Sequence, residues 1–254
     1  MSLYGKIVPL VVRDFLRPLK NPANSVLNLF LRIKSGKRVL SGPFSGMVFH
    51  YPQLEYAMLL GTWELELAGV WEKILTTNFP LMVDVGAAEG YYAVGMAYRK
   101  PDAKVVAYEM DDRVRKNLFA LRDANQVNLE VHGKCEPKDL ANLGERLEGA
   151  FILMDVEGYE GVLLDPIEIP SLAKATILVE LHDMYFKDCT TIIEERFKDT
   201  HEIQRVNGVK RTLDHLPSSV ELAKIFFSQD RLLGYMDEGR PYEMHWFYMV
   251  PKQS

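Results

Sequence analysis

Apolar residues fall in short runs separated by stretches of helical spacing, and this alternation organises most of the chain. Leu81–Val85, 104–109, 128–132, Ala150–Met154 and Thr176–Glu180 read as strands. Between them, 91–100, 111–124, roughly 137–147 and about Thr190–Phe197 read as helices. Strands alternating with helices predict a mainly parallel sheet with helices on both faces. Two late runs, His201–Val206 and Met244–Val250, flank a predicted helix at 218–227 and suggest a terminal hairpin-like pair. Upstream, Leu65, Leu67, Val70, Trp71, Ile74 and Leu75 follow helical spacing in a segment starting near Thr62. Thr62 is the expected cap, with Glu64 and Glu66 at the helix's positive end. Residues 39–60 contain Gly42, Pro43, Gly46 and Pro52, with Gly61 just beyond, which predict a hairpin or irregular bridge rather than a helix.

With 254 residues and 48% hydrophobic composition, the chain can bury a full core. The expected division is an N-terminal extension or cap over 1–60 and an α/β domain over 61–254. Cys135 and Cys189 lie far apart, which argues against a disulfide scaffold or a zinc-thiolate site and fits a reducing, cytoplasmic compartment. No apolar run reaches the eighteen or so residues of a membrane span, and no signal-peptide pattern is evident. Charge is uneven. Residues 1–38 carry eight basic side chains against Asp14 alone, so the remainder of a chain of net charge −5 is strongly acidic. Such a basic arm packs on its own acidic domain or on a second subunit of a homo-oligomer; the alternative is peripheral contact with an anionic membrane.

The run that ends at Val85 meets Gly86, and Gly90 precedes the next predicted helix. Glu109 closes the following strand, 19 residues beyond Gly90. That is where nucleotide-binding α/β folds place a ribose-binding acid. A dinucleotide needs G-x-G-x-x-G, whereas here Ala88 stands two residues after Gly86 and the spacing is G-x-x-x-G. Asp84 and Glu89 add negative charge that repels a pyrophosphate and attracts an ammonium or sulfonium group. S-adenosyl-L-methionine meets these conditions. Asp84, Gly86, Ala87, Glu89, Gly90, Tyr91, Glu109, Met110 and Asp155 form its expected pocket, and Glu64 either receives the amino group or merely caps its helix.

Other strand tips add acid: Asp155-Val-Glu157-Gly158-Tyr159-Glu160 after the fourth and Glu180-Leu-His182-Asp183 after the fifth. Gly61-Thr-Trp-Glu64, Val83-Asp-Val-Gly-Ala-Ala-Glu-Gly-Tyr-Tyr92, Met154-Asp-Val-Glu-Gly-Tyr-Glu160 and Val179-Glu-Leu-His-Asp183 together resemble FkbM-type class I methyltransferases. The resemblance covers roughly residues 61–185. It implies a seven-stranded Rossmann-like fold, S-adenosylmethionine as methyl donor, and O-methylation of a sugar, glycan or small-metabolite hydroxyl.

An acceptor hydroxyl needs a base, and His182 is the first candidate, with Asp155 second. Alternatively Asp155, Glu157, Glu180 and His182 hold Mg²⁺, which would polarise the acceptor oxygen. His132, Gly133 and Lys134 are expected near the adenine, and Arg240 and Tyr242 near the acceptor. Nucleic acid is not expected as a partner: the chain lacks the Asn/Asp-Pro-Pro-aromatic platform after the fourth strand, and its pI is near 5.7. A third reading is a protein that binds the nucleoside without catalysis.

Overall fold

The computed structural model describes residues 22–49, 56–239 and 244–252. The chain forms two compact units, one from 1–63 with 211–238 and the other from 64–210 with 239–254. Residues 211–238, expected within the α/β domain, therefore group with the N-terminal segment.

The larger unit is built on one seven-stranded sheet. Its strands are β1 (Leu81–Val85), β2 (Lys104–Tyr108), β3 (Glu130–His132), β4 (Phe151–Met154), β5 (Thr176–Glu180), β6 (His201–Asn207) and β7 (His245–Pro251). Their order is β3-β2-β1-β4-β5-β7-β6. The first five are parallel, while β7 runs antiparallel to both β5 and β6. All five residues of β1 and of β5 are buried, as expected for strands covered on both faces. Strand order reverses between β1 and β4, so the crevice beyond their C-terminal ends is where such sheets take ligands.

Several boundaries differ from expectation. The predicted third strand shortens to Glu130–His132, because only those residues pair with Val106–Tyr108 at the sheet edge. The predicted helix at 137–147 ends at Leu143, and a 3-10 turn over Gly144–Leu147 follows, entered through Gly144 at φ 55°. Glu64 adopts a left-handed conformation, so a 3-10 turn (Leu65–Leu67) precedes the helix Ala68–Thr76. Thr62 does not cap that helix; its hydroxyl donates instead to the Ala57 carbonyl.

The smaller unit contains α1 (Pro22–Ser35) and α2 (Tyr56–Leu60). An antiparallel bridge joins Arg38 and Val48, consistent with the hairpin-like reading of the start of that stretch, whereas its last five residues form α2, where no helix was expected. The predicted helix at 218–227 resolves into a 3-10 turn (Ser218–Val220) and α9 (Ala223–Phe226), followed by an unanticipated helix α10 (Gln229–Met236). Leu27, Leu31, Leu60, Val220, Leu232 and Met236 make its core. Between these lie α3 (Ala68–Thr76), α4 (Tyr91–Arg99), α5 (Asp112–Asn125), α6 (Pro137–Leu143), α7 (Glu160–Leu163) and α8 (Cys189–Phe197), all in the larger unit. Among the described residues, no helix is long and apolar enough to cross a membrane.

Candidate active site

Strand β1 runs directly into the glycine turn. The amides of Gly86 and Ala87 both donate to the Tyr108 carbonyl, at 3.0 and 2.9 Å, which ties the turn to the tip of β2. Gly86 has φ 89°, and a Cβ built there would lie 1.7 Å from the Asp155 carbonyl oxygen. The turn and the tip of β4 approach so closely that only glycine fits. Gly90 enters α4 at φ 94°; a Cβ there would stand 2.9 Å from Leu118 Cγ on α5.

Glu109 follows β2 and is 9% exposed. Its Oε2 accepts the Ala88 amide at 2.9 Å and its Oε1 accepts the Asp111 amide at 2.7 Å. Two backbone donors thus fix the carboxylate while each oxygen keeps a further lone pair. That geometry suits a vicinal diol. The Arg115 guanidinium donates to the Glu109 carbonyl and so braces the same segment.

Asp84 departs from expectation. It lies within β1, is 2% exposed, and accepts a hydrogen bond from the Ala93 amide in the first turn of α4. Its Oδ2 has no hydrogen-bond partner among the described residues. Burial first, and the charge of Glu109 second, push its pKa up to about 8. At neutral pH this carboxyl therefore keeps its proton, so it does not supply the standing negative charge expected of it. The half-buried Glu89 remains an acidic side chain of the turn.

The remaining donor-side residues divide. Glu64 makes no side-chain cap bond and instead accepts from the Tyr92 hydroxyl, while Trp71 stacks on Tyr92 at 5.1 Å. Tyr91 is buried, and burial together with the Glu64 charge raises its pKa. Ala87 is buried, whereas Met110 is 72% exposed. His132, Gly133 and Lys134 line a groove of about 370 Å³ beside β2 and β3, where the Tyr108 and His132 rings stack at 5.1 Å. None of the acidic site residues lines that groove.

On the other side of the switch point, Asp155 is the first residue after β4, and its amide donates to Val85 at 2.9 Å. The turn continues through Glu157 (φ 49°) and Gly158 (φ 107°), where a Cβ would meet Tyr185 Cβ at 2.8 Å. Glu160 opens α7 and is wholly buried. Its carboxylate accepts the Gly158 amide at 3.0 Å and the Val156 amide at 3.4 Å, and its Oε1 lies 2.7 Å from His182 Nδ1. His182 Nε2 then faces Asp155 Oδ1 and Glu180 Oε2, each at 3.6 Å. A carboxylate on Nδ1 selects the tautomer with its proton there and leaves Nε2 as the basic atom when the ring is neutral. Burial pulls the His182 pKa down, but the Glu160 hydrogen bond and the charges of Glu160, Glu180 and Glu157 outweigh it, so the net shift is upward.

Asp155, Glu180 and His182 each bring one donor atom within 4.8 Å of the others, a set able to hold a metal ion. Glu157 is not part of that set. It is exposed on the left-handed turn, which corrects the expected four-ligand group. Glu160 is the site residue that sequence reasoning missed. The available signal was a third carboxylate in Asp155-Val-Glu-Gly-Tyr-Glu160, at the position that opens the next helix. Arg240 and Tyr242 lie outside the described residues. Cys135 and Cys189 are both buried with thiol pKa values raised, chiefly by burial, to about 12 and about 11, so neither is a nucleophile.

No protein-family model matches the chain. A tRNA (guanine-N(7)-)-methyltransferase from Lysinibacillus sphaericus (strain C3-41) is 32% identical over 73 residues, 27% of this chain and 34% of that protein. The chain thus spans about a third of the length of this relative. Among solved structures, a putative O-methyltransferase from Klebsiella pneumoniae is similar over 87% of this chain and 88% of its own, with 9% identity and a TM-score of 0.49. The O-methyltransferase TomG from Streptomyces achromogenes, solved with S-adenosylmethionine, is similar over 81% and 82%, with 12% identity and a TM-score of 0.45. Strand order, the antiparallel β7 and the glycine turn after β1 give this chain the Rossmann-like fold of the class I methyltransferases.

Proposed function

We propose that the protein is an S-adenosylmethionine-dependent methyltransferase that methylates a hydroxyl of a sugar, glycan or small metabolite, as FkbM-type enzymes do. The observation that carries this reading is the Glu109 carboxylate, held by the Ala88 and Asp111 amides beside a glycine turn that lacks the dinucleotide spacing. In this reading Glu109 takes the ribose hydroxyls, Gly86 and Ala87 allow the donor's approach, and Asp84 with Glu89 lies toward its ammonium group. The acceptor oxygen attacks the sulfonium methyl in line, the carbon–sulfur bond breaks toward S-adenosylhomocysteine, and the hydroxyl proton passes to His182 Nε2. Orienting the two reactants supplies several kcal/mol of barrier reduction. A positioned base contributes roughly 10²–10⁴-fold.

Asp155, Glu180 and His182 also fit a divalent cation, which would polarise the acceptor oxygen in place of the base. Turnover unchanged after dialysis against EDTA would discard that version. An RNA acceptor is the second reading, favoured by the 73-residue likeness to a tRNA methyltransferase. Salt-sensitive binding of labelled tRNA, with S-adenosylhomocysteine release, would promote it. A sensor that binds the donor without transfer predicts donor heat and no such release with any acceptor. The deciding experiment is calorimetric titration with S-adenosylmethionine and NAD, followed by release assays across hydroxylated acceptors. NAD heat without donor heat would overturn the reading.

A further inference from the structure

We infer that the solvent face of α1 rests on an anionic lipid surface. This helix of 14 residues contains no acidic side chain. Leu27 and Leu31 are fully buried and pack into the core of the smaller unit, which accounts for one face. A second apolar stripe remains unexplained by the fold: Val26 is 60% exposed, Leu29 60% and Ile33 71%. At about 100° per residue these three fall within roughly 60° of arc, away from the buried pair. Arg32 borders the stripe on one side and Lys34 on the other, both exposed. The Arg32 guanidinium also reaches the Tyr56 hydroxyl. Lys37 and Arg38 follow just beyond the helix and are exposed as well.

Charge selects the occupant. A second copy of this face would present the same cations to these. Residues 1–21 carry four basic side chains against Asp14, so they too are repelled. An anionic bilayer takes apolar side chains 5–10 Å deep and attracts the flanking cations, each near the surface worth about 1 kcal/mol. At 1.5 Å per residue, α1 is about 21 Å long, too short to span a hydrocarbon core of about 30 Å. It therefore lies in the interface. The same unit exposes a further apolar group on and beside α9, Leu222, Ile225 and Phe226, next to Lys224.

The test uses the full chain and is independent of methyl transfer. Co-sedimentation is measured with phosphatidylcholine vesicles with and without phosphatidylglycerol, at low and high salt. Expected is binding to the anionic vesicles alone, weakened by salt, and at least ~10-fold weaker in the double variant Leu29→Ser, Ile33→Ser, given the apolar area withdrawn. Both side chains are exposed, so thermal unfolding should not move, and an unmoved midpoint excludes misfolding as the cause. Equal binding by wild type and double variant overturns the inference, even if residues 1–21 hold the vesicles. So does a self-association, seen by analytical ultracentrifugation, that the double variant abolishes while no vesicle binding occurs.

Discussion

The carboxylates at the ends of β1 and β2 are held by backbone, whereas those at the ends of β4 and β5 gather round a side chain that itself titrates. Glu109 takes two amides and Asp84 takes the Ala93 amide, so the position of each is set by the turn and the first turn of α4. Glu160 also accepts two amides, but its shortest contact is to His182, whose other nitrogen faces Asp155 and Glu180. Fixed amides build a binding surface whose geometry is set by the backbone. An imidazole among carboxylates builds a surface whose proton inventory changes near neutrality. The first arrangement suits recognition and the second suits proton transfer.

The most damaging change is expected where the two clusters meet. In Gly86→Ala the new methyl would overlap the Asp155 carbonyl, and the left-handed φ adds strain. The two effects together should lower stability by about 3–5 kcal/mol. Chemical denaturation of the variant checks this. A loss below about 1 kcal/mol would mean that the turn and the β4 tip are not in contact. Next comes His182→Ala, expected to reduce kcat by roughly 10²–10⁴-fold with little change in donor affinity. Glu160→Gln keeps a hydrogen-bond acceptor on Nδ1 but removes its charge. The ascending limb of the pH–rate profile, which in wild type lies above the ordinary histidine value of 6.5, should move to lower pH. The sign for stability is related: the charged pair stabilises the fold fully below about pH 6.5, and this contribution is lost as pH rises through the folded-state pKa of His182. An unmoved profile would reduce Glu160 to a structural brace.

How far the two clusters were legible in sequence follows from the same contrast. Gly86, Gly90 and Glu109 stand at fixed distances along one strand–turn–helix–strand segment, so linear spacing carries their geometry. Convergence of Asp155, Glu180 and His182 depends on β4 and β5 pairing in register, and only the shared strand-tip position hinted at it. Glu157 was misplaced because its exposure is set by a left-handed turn that the Val-Glu-Gly sequence does not announce. Glu160 was overlooked because a buried carboxylate becomes reasonable only once its partners, Gly158 and His182, are known. In the smaller unit, α10 went unread since Gly234 interrupts its apolar pattern, although Leu232 and Met236 are buried.

Binding through the backbone-held cluster should give a smaller effect. Glu109→Ala removes the acceptor of the Ala88 and Asp111 amides and the proposed diol contacts, worth about 1.5–3 kcal/mol, or roughly 10–100-fold in donor affinity. Titration calorimetry reads this directly. Unchanged affinity would place the ribose elsewhere.

The finest distinction concerns Asp84, since it has the backbone support of the first cluster but the movable proton of the second. Its folded pKa of about 8 lies far above the unfolded value near 3.9, so between those limits the native state binds the extra proton. Stability contributed by this position therefore falls as pH rises, by up to about 1.4 kcal/mol per unit, and levels off above pH 8. Asp84→Asn should remove that slope while keeping the acceptor for the Ala93 amide. A cationic donor group arriving near the unpartnered Oδ2 favours the carboxylate, so binding at pH 7 should expel a proton. Calorimetry in two buffers of different ionisation enthalpy would reveal it as a difference in apparent heat. The difference should vanish in Asp84→Asn and shrink above pH 8, where the carboxyl is already ionised. Equal heats in both buffers at pH 7 would mean that the donor's charge lies out of reach of β1, leaving Glu89 to attract it.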